Sequence, residues 1–159
     1  MIEKCSGLKS LVVAVVLISV TGCANRLESH TSAEYSGKRT PVDRIAISGK
    51  GASIAVPAFD RFGYRVVDLG STSGDLIEKA VAKKVPFIAT IDPVDSDGAW
   101  WDGYFVFSMR VTETIKRMIV WSAQADYGQS GIFINQAKTT KEAMADMVAD
   151  FAKHFPPRK

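Results

Sequence analysis

The stretch VDRIAISGKGASIAVPAFDRFGYRVVDL, residues 42–69, decides the fold. Val42 to Ile47 is a short run rich in β-branched residues and predicts a strand, and Ser48-Gly-Lys-Gly51 predicts a turn. From Ser53 to Phe62 the period changes. Ile54, Ala55, Ala58, Phe59 and Phe62 recur at helical spacing, with Pro57 tolerated near the first turn and Gly63 as the stop. Tyr64-Arg-Val-Val-Asp-Leu69 then predicts a second strand. A strand-helix-strand unit of this length builds a sheet with a helix packed on it.

The pattern continues toward the C-terminus. Thr72 and Asp75 predict a helix start, and Leu76, Ile77, Ala80 and Val81 form the apolar face of a helix ending near Lys84. Phe87-Ile-Ala-Thr-Ile91 predicts a third strand, and Asp92 to Gly98 a turn-rich loop. Tyr104 to Thr112 and Arg117 to Ala125 predict two long strands joined as a hairpin around Glu113 to Lys116. On the second, Ile119, Trp121 and Ala123 are expected to share the core face. Ile132-Phe-Ile134 is a short apolar run. The last element is expected to start at a Thr139/Glu142 capping box. Ala143, Met144, Met147, Val148, Phe151 and Phe155 line one face until Pro156-Pro157. The expected fold is α+β, layered, with a mixed sheet of about five strands, helices packed on it and a closing amphipathic helix.

The N-terminal segment differs in kind. Lys4 and Lys9 precede the apolar stretch Leu11 to Val20, which has the length of an export-signal core and about half that of a membrane-spanning helix. Val20-Thr21-Gly22-Cys23 follows and resembles the lipobox of bacterial lipoproteins. The resemblance implies a signal peptide over 1–22 and a lipid on Cys23. Ala24, where an Asp is the inner-membrane retention signal, implies the periplasmic face of the outer membrane. Asn25 to Thr40 is polar and without apolar period, so 23–40 is expected to be a lipidated flexible tether and 41–159 a single globular periplasmic domain.

Composition narrows the function. Removing residues 1–22 takes away Lys4, Lys9 and Glu3 and leaves a net charge of +2, with charges interspersed, which argues against nucleic acid. Both cysteines lie within the first 23 residues, so the domain has no disulfide. The two histidines, His30 and His154, lack a second ligand at useful spacing, and no metal or other cofactor is expected. Asp92, Asp95 and Asp97 sit in a loop that lacks the acids of a calcium-binding hand, and an Asp/Gly turn explains them. Gly49-Lys-Gly51 lacks the remaining residues of a phosphate loop. Asp146 and Asp150 lie one turn apart on the expected exposed face of the last helix. No catalytic residue is assigned.

The remaining candidates are aromatic. Trp100-Trp101 precede Tyr104 and are flanked by Gly98 and Gly103. Successive strand residues point to opposite faces, so one tryptophan is expected to be exposed as a partner or membrane surface, with Tyr104 beside it.

Phe62-Gly-Tyr-Arg-Val-Val-Asp-Leu69, Phe87 to Ile91, the hairpin from Val111 to Val120-Trp-Ser-Ala123 and the amphipathic last helix resemble small periplasmic lipoproteins of the CsgG, PelC and TolB N-terminal-domain kind. Thr114-Ile-Lys-Arg117 stands where that group has a Gly-containing turn. The resemblance implies a domain that docks or assembles in the cell envelope, with itself as a homo-oligomer or with other envelope proteins, and implies no chemistry. The expected function is a lipid-anchored binding or assembly module in export or envelope maintenance. The alternative is a periplasmic hydrolase of cell wall or lipid, which requires a cleft with convergent acids or a Ser/His pair.

Overall fold

The computed structural model describes residues 25–70, 74–95, 102–130 and 136–158. One mixed sheet of six strands runs in the order β1-β6-β5-β4-β2-β3. The strands are β1 Arg26–Thr31, β2 Arg44–Ser48, β3 Arg65–Gly70, β4 Phe87–Asp95, β5 Asp102–Glu113 and β6 Met118–Ser130. The helices are α1 Ala52–Phe62, α2 Leu76–Ala82 and α3 Gln136–His154. The fold is α+β as expected, with one strand more.

That strand is β1. Residues 26–31 form an antiparallel ladder on the outer edge of β6, from Arg26 opposite Asp126 to Thr31 opposite Trp121. The tether expected over 23–40 is therefore corrected: most of it belongs to the folded domain. Tyr35 is buried, its ring 5.4 Å from that of Phe155, and its hydroxyl donates to Glu113 at 2.8 Å. Burial and the Glu113 carboxylate together hold its phenol above the usual range. Beyond it, Thr40 N–H donates to His154 O at 2.9 Å and Val42 N–H to Pro156 O at 2.8 Å, tying this segment to the C-terminus.

The strand-helix-strand unit forms as read. Gly63, at φ +92°, ends α1 in the left-handed conformation that glycine adopts without strain. Pro57 lies inside α1 at an exposed position. Gly49 and Gly51 owe their place to packing: a Cβ on either would collide with Ile91 of β4. Parallel pairing of β2 with β3 and β4 closes the unit. The cap of α2 is Asp75, which accepts from Ile77 N–H at 2.9 Å and Glu78 N–H at 3.1 Å. Thr72, the expected cap, lies outside the described residues. The last helix begins at Gln136, so Thr139 lies inside it and is no capping residue.

α1 and α3 cover one face of the sheet. Ile45, Ile47, Phe87, Ala89, Ile91, Met109, Val111 and Trp121 meet Phe59, Met144, Met147, Phe151 and Phe155 there, all buried. Phe151 is the hub, with ring centroids 6.0 Å from Phe59, 5.9 Å from Tyr64, 5.4 Å from Trp121 and 4.9 Å from Phe155. Burying such aromatics contributes roughly 1.5–3 kcal/mol each. α2 covers part of the opposite face, over Ala46, Val85 and Ile88.

One side chain departs from strand alternation. Ile119 was expected in the core and is 49% exposed, while Val120 and Trp121 are both buried. The register between β5 and β6 shifts between Val111 and Thr112, which face Trp121 and Ile119. Val120 is the extra residue of a bulge, and the bulge reverses the facing of everything before it.

Candidate functional site

The two faces of the sheet set what a ligand or partner can meet. On β5, Phe107, Met109 and Val111 point to α1 and α3, so Ser108 and Arg110 point away. On β6 the outward residues are Ser122, Gln124 and Asp126. On β1, Leu27 packs inward, so Arg26, Glu28 and His30 join them. The registers align these side chains in rows: His30, Ser122 and Arg110; Glu28, Gln124, Ser108 and Asp92; Arg26 and Asp126 beside Val106. No described helix covers this area. A shallow depression of about 380 Å³ there is lined by Glu28, His30, Ser108, Arg110, Ser122 and Gln124 among others.

This is a mixed, hydrogen-bonding surface. Glu28 is paired with Arg26, Gln124 donates to Asp126 at 3.2 Å, and Ser108 donates to the Asp92 carbonyl at 3.4 Å. Ser122 and His30 are cross-strand partners, with Glu28 two residues before His30, which is the residue set of a hydrolytic triad. The geometry does not assemble it. Glu28 is engaged by Arg26, and the ladder hydrogen bonds occupy the backbone N–H groups that an oxyanion pocket requires.

A second depression, about 290 Å³, lies between α1 and α3. Ile54, Pro57, Ala58 and Phe62 line it, with Arg61 and Lys141 at its rim. No group of three or more His, Cys, Asp or Glu side chains able to hold a metal is found among the described residues. His154 ends α3 beside Lys153, where a cation suits the helix dipole.

Asp146 and Asp150 are more than a solvated face. The hydroxyl of Tyr127 donates to Asp146. Burial, the Asp146 hydrogen bond and the nearby carboxylates together push the Tyr127 phenol well up. Asp150 is partly buried, and burial raises its pKa, but the hydrogen bond from Lys153 and the nearness of Ser29 of β1 outweigh that and leave it below its ordinary value. The Tyr127–Asp146 bond fastens β6 to α3, and Ser29 brings β1 beside Asp150. Sequence reading missed them because the partners are 19 and about 120 positions away, on elements whose packing no local pattern reveals.

The other sequence candidates fare unequally. Cys23, Trp100 and Trp101 lie outside the described residues. Tyr104 takes its place on β5 opposite Gly128, near the end of the β5–β6 ribbon formed by Asp102 and Ser130. Lys50 and Asp92 come together, the Lys50 N–H donating to Asp92 Oδ1 at 3.3 Å. Asp97 is outside the described residues.

No family model matches the chain. No curated protein matches it in sequence. Solved structures do match in fold. PelC from Paraburkholderia phytofirmans, a dodecamer, superposes with a TM-score of 0.63 at 11% identity, over 86% of this chain and 100% of that chain. The hypothetical protein CT253 from Chlamydia trachomatis gives 0.51 at 8% identity, over 71% and 97%. Lipoprotein GNA1162 from Neisseria meningitidis gives 0.50 at 11% identity, over 71% and 99%. At these identities the likeness is one of fold.

Proposed function

We propose that this chain is a lipid-anchored protein of the cell envelope whose domain works by binding and self-assembly. The observation that carries the reading is Val20-Thr21-Gly22-Cys23 directly after an apolar stretch of signal-core length. The fold supports it, being shared with a protein named a lipoprotein and with PelC, which forms a dodecamer. In this reading residues 1–22 are removed, Cys23 carries the lipid, and Ala24 directs the protein to the periplasmic face of the outer membrane. Trp100, Trp101 and Tyr104 present a surface to a partner or to the membrane, and the domain serves an export or envelope-maintenance system as a homo-oligomer. The unassembled Ser122, His30 and Glu28 set favours this reading over a hydrolase.

Metabolic labelling with a palmitate analogue tests the anchor. The wild type takes label and Cys23→Ser does not; label persisting in the mutant overturns the assignment. Native mass spectrometry of residues 24–159 tests assembly, where a monomer at all concentrations refutes it. Trp100→Ala or Trp101→Ala is expected to weaken assembly or partner binding by about 2 kcal/mol or more with an unchanged melting temperature.

A further inference from the structure

We infer that the domain stands end-on to the membrane, with the Asp102–Ser130 end of the β5–β6 ribbon toward the lipid headgroups. This rests on the reading of Cys23 as the lipidated residue. β1 begins at Arg26, opposite Asp126 of β6, which in turn lies opposite Val106 of β5. Three residue steps separate Cys23 from Arg26, and even fully extended they span only about 10 Å. The polar segment after Cys23 is therefore a short leash, with no length to hold the domain away from the bilayer.

The ribbon reaches as far as the leash. Past the level of Arg26, β5 and β6 continue through four more pairs: Phe105 with Tyr127, Tyr104 with Gly128, Gly103 with Gln129 and Asp102 with Ser130. At the rise of a strand these add about 13 Å. They extend in the direction from which the chain enters β1, because β1 and β6 are antiparallel and Asp126 precedes Ser130 on β6. A bilayer surface within reach of Cys23 thus meets the ribbon end. Val94, 57% exposed, lies at the Arg26 level, next to Asp95 opposite Val106. The leash would also allow the sheet to lie on its β1 edge. That lays all six residues of an outer strand, with its unpaired backbone groups and Glu28, along the lipid, whereas the end-on arrangement brings only the ribbon's last four pairs to the headgroups. The β5–β6 turn, where Ile115 is 83% exposed, faces away from the membrane, about 36 Å from Gln129 along β6.

The test uses the full lipidated chain with a single fluorophore at Gln129→Cys or at Ile115→Cys. It is reconstituted in vesicles of phosphatidylethanolamine and phosphatidylglycerol carrying a nitroxide on a fraction of the headgroups. Lipidation is read separately, from the mass of the mature protein. The Gln129 label is expected to be quenched several-fold more than the Ile115 label. Ten Gly-Ser residues inserted between Ala24 and Asn25 should bring the two close to equal. Lipidated protein whose two labels quench equally or in reverse order overturns the end-on arrangement and leaves the anchor standing. Quenching unchanged by the insertion also overturns it, because the leash then does not set the arrangement. An unlipidated mature protein overturns both.

Discussion

The two halves of the sheet are built to different rules. In the parallel half, β2 and β4 are covered on both faces, so neighbours along the chain are buried together: Ile45, Ala46 and Ile47, then Ile88 and Ala89. In the antiparallel half, no described helix covers the second face of β5 and β6. Buried Met109 and Val111 flank exposed Arg110 there, and buried Ala123 and Ala125 flank exposed Gln124. The difference comes from α2, a seven-residue helix placed over β2 and β4. Coverage decides the pattern: among the described residues, the half without a helix on its second face is the half that alternates.

Substitutions can break or sharpen this contrast. The largest effect belongs to the hub that both halves share. Phe151→Ala removes a fully buried ring touching α1, β6 and the C-terminal aromatics, and should destabilise by about 3–5 kcal/mol in denaturant unfolding. A melt that scarcely moves would show that α3 is peripheral to the core. Next comes the contrast itself. Ala46→Leu wedges volume between α2 and the sheet and should cost about 1–3 kcal/mol, whereas Gln124→Val on the open face should stay within about 0.5 kcal/mol. Equal costs for the two would refute the idea that only one half is covered twice.

A smaller effect is expected from Tyr127→Phe. It removes the hydrogen bond to Asp146 and should cost about 1–2 kcal/mol, read as a shift in the denaturation midpoint. The smallest is a pH effect. Asp150 is held below its unfolded pKa, so its stabilising contribution is complete above about pH 4 and disappears as the pH falls through the lowered folded value. Asp150→Asn should therefore flatten the acid limb of the stability profile and leave the neutral-to-basic limb in shape. An unchanged acid limb would show that the Lys153 and Ser29 contacts do not perturb this carboxylate.

Where local chemistry determines structure, the sequence was legible. The Ile/Val/Phe runs of β2 to β4, the glycine that stops α1 and the apolar face from Ala143 to Phe155 each carry their own period. β1 was not, because only Leu27 in Arg26–Thr31 is apolar. A strand at the sheet's edge needs little inward bulk, and the small Ser29 and Thr31 stand on its inner side beside Leu27. The alternation of Leu27, Ser29 and Thr31 with Arg26, Glu28 and His30 was the available signal. Ile119 was misassigned because a one-residue bulge inverts facing without a mark in composition. The open face of β1, β6 and β5 was invisible for a related reason: its rows are assembled from strands nearly a hundred residues apart. The proposed export signal, by contrast, is read from consecutive residues.

The position of β1 also has a mechanical consequence. Its first residue is the point at which any pull on the proposed anchor enters the domain, and that pull acts along the strand axis. The β1–β6 hydrogen bonds lie across that axis, so the six pairs from Arg26 to Thr31 share the load in shear instead of opening one after another. The hydrogen bond from Thr40 N–H to the His154 carbonyl secures the far end of the segment. The N-terminal strand is therefore a handle that spreads a pull on the proposed anchor over the whole β1–β6 edge.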